Sequence, residues 1–376
     1  MKVLVTGGAG FIGSHTGDAL LAKGHKIRIM DSLEPPVHLK GKPNYVPEEA
    51  EFIRGDVRNR ADWKIALEGI DLVFHFAAYQ DYLTDFSRFF DVNSKGTALL
   101  YEVIVGKKLP VEKVIVASSQ AVYGEGKYEC SEDGIVYPDP RSLDQLERGN
   151  WELRCPKCGG KIKMELTDEA RVNPQNQYAI SKYSQELIGL ALGRRYEIPT
   201  VCLRYSIVQG PRQSPYDLYS GALRAFALST YFEKGSVIYE DGLQLRDYVN
   251  IEDAVRANLL VMEDSKADYE VYNVGGGRAY TVLELADMVG ETFGNEVRSK
   301  TSGEFRVGDT RHIVSDISKI RTLGWKPINS IEKSVADYVA WLKEEEAIQD
   351  LVEYSRKEMK DQGVVRKAKA NLKEKT

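Results

Sequence analysis

Apolar runs punctuated by glycine alternate with amphipathic stretches through the first two hundred residues. Lys2 to Thr6 is a short apolar run, and Gly7 to Gly13 follows it directly. Phe11 to Lys23 then sets Phe11, Ile12, Leu20 and Leu21 close to a helical period, and His25 to Met30 alternates as a strand does before Asp31. After a proline-containing loop the same reading predicts strands at Glu51–Arg54, Asp71–His75, Glu112–Ala117 and Thr200–Arg204. It predicts helices from near Asn59 to Leu67, from Phe86 to Val105 and from Tyr178 to Arg195. Such a βαβα alternation builds an α/β fold on a parallel, doubly wound sheet. Beyond Tyr205 the segments shorten: helices near Gly221–Thr230, Glu252–Met262 and Thr281–Phe293, and strands near Val237, Asp247–Asn250 and Tyr269–Val274. A first domain over residues 1–204 is therefore expected, with a smaller α/β lobe over 205–341 interleaved with its sheet. Residues 342–376 read as a charged helical tail, and Lys367, Lys369, Lys373 and Lys375 place its end in solvent.

Composition narrows the class. Hydrophobic residues at 43% and charged residues at 28% are those of an ordinary water-exposed globule. A net charge of −5 leaves no basic footprint for nucleic acid. No apolar run is long enough to span a bilayer, and Met1 leads straight into a strand, so a cytoplasmic protein is expected. Four cysteines in 376 residues are no secreted disulfide framework.

The first strand, glycine turn, helix and second strand form the context of a Rossmann-type dinucleotide fingerprint. Gly7 allows the tight turn, Gly10 lets backbone approach a pyrophosphate, and Gly13 lets the helix sit close on the sheet. The helix N-terminus then offers N–H groups and a partial positive charge to the phosphates. Asp31, eighteen residues past Gly13, is placed to accept hydrogen bonds from the adenosine ribose. A carboxylate there repels a 2′-phosphate, which favours NAD over NADP. Asp56 stands where it could meet the adenine amino group or, alternatively, cap the helix near Asn59. Phe76-Ala77-Ala78 keeps the loop narrow where the cofactor would pass. His75 reads as a packed strand-end residue.

Tyr178 and Lys182 share a helix face one turn apart. Free tyrosine titrates near pH ~10. A cation beside it stabilises the phenolate, so a tyrosine tuned this way can take a proton from a sugar hydroxyl and return it. Ser119, after the fifth strand, adds a short hydroxyl for the same oxygen.

With these residues in place the chain resembles the extended short-chain dehydrogenases/reductases, in the nucleotide-sugar epimerase branch typified by UDP-glucose 4-epimerase. The resemblance runs from Met1 to about Trp341. It rests on Thr6–Gly13, Phe74–Ala78, Asn93 with Gly96-Thr97, Ser118–Gly124, Tyr178–Lys182, Gly210–Arg212, Leu245–Val249 and Arg306–Asp309. It implies Tyr178 as base, Lys182 as its partner and Ser119 as the hydroxyl aid. Further cofactor contacts are implied at Phe11, Ile12, Val57, Ala77, Ala78, Asn93 and Tyr205. A substrate lobe at 205–341 is implied, with Arg246 and Arg306 on the substrate diphosphate and further contacts at Gln80, Ser206, Arg212 and Asp309. A guanidinium fork suits phosphate oxygens. A homodimer through Phe86–Val105 and Tyr178–Arg195 is implied by the same resemblance.

Within the family, members that eliminate water carry Asp-Glu after the position of Ser119, and decarboxylases a nearby glutamate. Gln120 and Ala121 stand here, so epimerisation remains, with tightly bound NAD reduced and reoxidised in each turnover. Inversion at carbon 4 of a UDP-hexose is the leading expectation. Ser206 and Gln209, where asparagine and tyrosine are common, keep a carbon-2 epimerase of a CDP-dideoxysugar as an alternative. A dTDP-sugar 4-epimerase, a reductase or dehydrogenase with free cofactor exchange, and a silent NAD-binding sensor also stand.

Residues 125–174 form an insertion well beyond an ordinary loop. It holds Cys130 and Cys155-Pro-Lys-Cys158-Gly, a knuckle that aims two thiolates at one metal. A structural zinc, with Asp133 as nearest fourth ligand, and a metal-free remnant are the two readings. A small hairpin flap near the mouth of the site is expected, and Cys202 is expected as core packing.

Overall fold

The computed structural model describes residues 1–81, 83–217, 221–294 and 299–369. Its centre is a seven-stranded sheet in the order Val271–Val274, Thr200–Tyr205, Lys113–Ser119, Leu72–His75, Lys2–Thr6, Lys26–Asp31, Glu51–Arg54, every pairing parallel. The strand order turns back on either side of Lys2–Thr6, which opens a crevice at the carboxyl ends of the strands. Strand pleating sends Val3 and Val5 into one core and Leu4 into another on the opposite face, where it meets Trp63 and Leu100. The chain is therefore an α/β doubly wound fold. The edge strand Val271–Val274 joins this sheet beside Thr200–Tyr205.

The expected Phe86–Val105 helix is continuous but not regular. α-Helical turns at Phe86–Phe89 and Gly96–Lys107 flank a π-helical stretch, Phe90–Lys95. That wide turn holds Asn93, and such bulges recur at functional sites. Leu223, Phe226, Tyr248, Tyr280, Val335 and Tyr338 belong to a third core that supports the later lobe.

Two expectations change. The insertion is more than a hairpin: Tyr128–Cys130 lies between Gly134–Val136 and Ile162–Met164 in a three-stranded antiparallel sheet, with a helix at Leu143–Glu147. The tail is not only helical. After Val352–Asp361, Val365–Lys367 pairs antiparallel with Glu304–Arg306, because backbone groups of that edge find partners there. Lys367 and Lys369 are exposed, and Lys369 pairs with Glu147 at 2.7 Å; Lys373 and Lys375 lie outside the described residues. Among the described residues no helix is long and apolar enough to cross a membrane.

Candidate active site

A cavity of about 640 Å³ opens at the crevice, a size suited to a small organic ligand. Its lining brings together Phe11 and Ile12 after the glycine turn, Ser119, Tyr178 and Lys182, and Arg246, Arg306 and Asp309 from the later lobe. Local sequence explains the placement. Gly7 turns with φ +65°, and a Cβ there would come within 2.8 Å of the Ala77 nitrogen. A Cβ at Gly13 would sit 2.3 Å from the Gly7 carbonyl. The Phe11–Ala22 helix therefore starts close to the sheet, and no side chain caps its N-terminus. An uncapped helix start beside a cradle closed to any Cβ fits a dinucleotide pyrophosphate. Asp31 accepts the N–H groups of Ala9 at 3.0 Å and Leu33 at 2.9 Å, so the carboxylate that would meet the ribose also fixes the glycine loop.

Tyr178 lies in the first turn of Gln177–Tyr196, which Asn176 caps through the Ala179 N–H at 2.8 Å. Lys182, one turn on, is fully buried and donates to the Ala117 carbonyl at 2.8 Å. Its ammonium lies 6.0 Å from the centre of the Tyr178 ring. Burial pulls the Lys182 pKa down to about 7, against the opposing pull of Glu186. Ser119 ends its strand and accepts the Ala121 N–H at 3.2 Å. His75 is buried between the hydroxyls of Thr6 (2.9 Å) and Thr97 (3.0 Å), and burial takes its pKa down to about 3. It is a neutral packing residue.

Among the other expected cofactor residues, Ala78 and Tyr205 line the cavity. Asn93 does not: it accepts the Tyr79 N–H at 2.7 Å and donates to the Tyr79 carbonyl and the Ser181 hydroxyl. It clasps the loop after the fourth strand to the helix that carries Tyr178. Val57 packs against the helix at Gly96, and Ala77 against Gly7. Asp56 pairs with Arg58 at 2.9 Å, and the helix cap is Asn59.

On the substrate side Gln80, Ser206, Arg246, Arg306 and Asp309 line the cavity. Arg246 donates to the carbonyls of Arg311 at 2.9 Å and Thr310 at 2.7 Å, and its guanidinium approaches Asp309 at 3.4 Å. The Ser206 hydroxyl is turned to Asp247 at 2.7 Å and Ser315 at 2.8 Å. Arg212 is not brought to the cavity. Its φ of +65° carries the side chain onto Asp18 at 2.6 Å and over the Tyr45 ring, and the next residue, Gln213, takes the cavity position.

Three groups escape the sequence reading. Behind Lys182, buried Glu186 receives Arg204 at 2.7 Å and the Ser118 hydroxyl. Its spacing, four residues past Lys182 on the same helix face, is the signal that could have found it. Glu125 lines the cavity next to Arg141 at 3.7 Å, and burial raises its carboxyl pKa to about 7. The third is the tail, whose Val352, Arg356, Met359 and Val364 wall the cavity.

A Rossmann crevice, a glycine cradle and a buried lysine beside a tyrosine now stand together, and the comparisons agree. Residues 3–142 and 155–275 match the NAD dependent epimerase/dehydratase family. The chain belongs to this family. The break in the match, between 142 and 155, falls inside the insertion. A dTDP-L-rhamnose 4-epimerase of Burkholderia thailandensis is 32% identical over 92% of this chain and 95% of its own. A UDP-glucose 4-epimerase of Thermotoga maritima, solved with UDP-glucose, is 30% identical, with a TM-score of 0.73 over 91% of this chain and 99% of its own. A UDP-glucuronic acid 4-epimerase of Bacillus cereus, solved with NAD, is 27% identical over 91% and 99%, also at 0.73.

Proposed function

We propose that the chain epimerises a nucleoside-diphosphate hexose at carbon 4, with NAD held by Gly7–Gly13, Asp31 and Lys182. The observation that carries this reading is one cavity holding Ser119, Tyr178 and Lys182 with Gln120 and Ala121 beside them. Gln120 and Ala121 are neither acids nor bases, so the Asp-Glu pair of the water-eliminating members is missing at this position, which favours epimerisation. Bound NAD supplies the acceptor of the carbon-4 hydride and its later donor. Tyr178 takes the hydroxyl proton and returns it to the oxygen of the 4-keto sugar, whose position Ser119 holds by hydrogen bonding. The Lys182 cation stabilises the phenolate. Arg246 and Arg306 hold the diphosphate while the flat keto sugar turns. A UDP-hexose is the leading substrate; the rhamnose epimerase relative favours a dTDP-sugar as the second.

Purified protein given UDP-, dTDP-, CDP- and GDP-hexoses, without added cofactor, is expected to form a carbon-4 epimer visible by NMR. Stoichiometric NADH release would sink the reading and leave a dehydrogenase. We infer also that the active form is a homodimer. Phe86, Phe90, Ile180 and Leu187 are exposed on two adjoining helices, and an exposed apolar group of this kind favours association.

A further inference from the structure

We propose that the insertion is a zinc-binding module, with Cys130, Asp133, Cys155 and Cys158 as the four ligands of a structural zinc ion. The ligand atoms of these side chains all lie within 4.8 Å of one another. Cys130 Sγ is 3.6 Å from Cys158 Sγ and 3.7 Å from Asp133 Oδ2, and Cys155 Sγ is 3.1 Å from Asp133 Oδ2. Zinc with bonds of about 2.3 Å to sulfur and about 2.1 Å to oxygen spans tetrahedral edges of roughly 3.6–3.8 Å. The four atoms need only small movements to reach them.

The backbone supports Asp133 as a ligand independently of its closeness. Cys130-Ser-Glu-Asp133 is followed by Gly134 at φ +69°, and Cys155-Pro-Lys-Cys158 by Gly159 at φ +73°. No atom within 4 Å opposes a side chain at either glycine. The requirement there is left-handed backbone, not space. The module is thus two copies of one turn, Cys-x-x-ligand-Gly, facing each other from different strand ends. Asp133 holds in the first turn the position that Cys158 holds in the second. The second turn is closed by the Cys155 N–H on the Gly160 carbonyl at 2.9 Å, and the Gly160 N–H donates to Cys158 Sγ at 3.4 Å.

Ligand chemistry and size argue the same way. Soft sulfur ligands in a tetrahedron select zinc. The three strands are each three residues long. Their buried core is Tyr128, Cys130, Val136, Leu153 and Cys155, too little apolar volume to hold a fold unaided. A bound metal replaces the missing core. None of the four ligands lines the cavity, so the site is closed and structural.

The module also reaches the active site. Glu152, three residues before Cys155, accepts Arg311 Nε at 3.0 Å, and the Arg311 carbonyl accepts Arg246 at 2.9 Å. Arg141 donates to the Asp309 carbonyl at 2.8 Å. Ordering of the insertion therefore bears on the wall that carries Arg246.

The test is metal analysis of the full chain, expressed with zinc and purified without a metal-affinity step. One zinc per chain is expected, with a large loss in Cys155→Ser and Asp133→Ala and retention in Asp133→Cys. Cobalt(II) exchanged into the wild-type chain should give thiolate charge-transfer bands and the intense visible bands of a tetrahedral ion. Wild-type protein without bound zinc, or a disulfide joining any two of the three thiols on non-reducing peptide mapping, would overturn the proposal. Full zinc content with an unchanged cobalt spectrum in Asp133→Ala would remove the fourth ligand.

Discussion

The Lys182 ammonium donates to the Ala117 carbonyl, so a buried cation from the Tyr178 helix is anchored on the strand that ends at Ser119. With the Ser118 hydroxyl on Glu186 of the same helix, that bond holds the helix face carrying Tyr178 against the strand end carrying Ser119. Tyr178→Phe removes only the ionisable oxygen. Turnover is expected to fall by about 10²–10⁴-fold, the usual scale for a lost acid–base group, while NAD remains bound. Epimer formation by NMR, with cofactor released by denaturation and quantified, checks both halves.

Burial of Lys182 also has a pH signature. Its pKa falls from an ordinary 10.5 to about 7 in the folded chain, so the unfolded chain binds more protons between those values. Stability then rises with pH across that window, and the burial penalty is largest below pH 7. Between pH 7 and pH 9 the wild-type chain should gain about 2 kcal/mol relative to Lys182→Met. Urea unfolding of both cofactor-free proteins at the two pH values measures the difference.

Glu186 and Arg204 form a buried pair whose second carboxylate oxygen is also engaged. Glu186→Ala strands the guanidinium away from water and is expected to cost about 3–5 kcal/mol. Glu186→Gln keeps the hydrogen-bonding shape and should cost less. Denaturant midpoints with unchanged slopes would report this directly.

Arg246 is held by backbone carbonyls at one end of the cavity, so its truncation should leave the Tyr178 geometry in place. Arg246→Ala is expected to raise KM about tenfold to a hundredfold with a smaller change in kcat, from loss of a charge-assisted contact of about 1.5–3 kcal/mol. Initial rates over a substrate range separate the two parameters.

Leu187 is 53% exposed on the long helix, in line with Ile180 two turns earlier. Leu187→Glu places charge in the expected dimer contact. A halved mass by light scattering is the predicted outcome, with unchanged far-ultraviolet circular dichroism as the control for folding.

Legibility in the sequence followed the range of the interactions involved. Lys2–Asp31 was readable because glycine spacing, apolar period and the acid all lie within one βαβ unit. The π-helical turn at Phe90–Lys95 was not, since one extra residue per turn barely disturbs the apolar pattern. The turn of Arg212 away from the cavity was not legible, because nothing in its neighbours announces a left-handed backbone. Pairing of Val365–Lys367 with Glu304–Arg306 joins two polar segments some sixty residues apart, and no local period marks it. Tyr178, Lys182 and Ser119 stood out by spacing and order along the chain; Glu186 shares the helix face of Lys182, but its partner Arg204 lies on a separate strand, so the pair showed only in the fold.

Order along the chain has a consequence for synthesis. The cavity wall that begins at Phe11 is completed by Val352, Arg356, Met359 and Val364. A ribosome will have released the glycine cradle and its sheet long before those residues emerge. The sheet and its crevice can therefore form first, and this wall of the cavity closes only once residues 352–364 have left the ribosome.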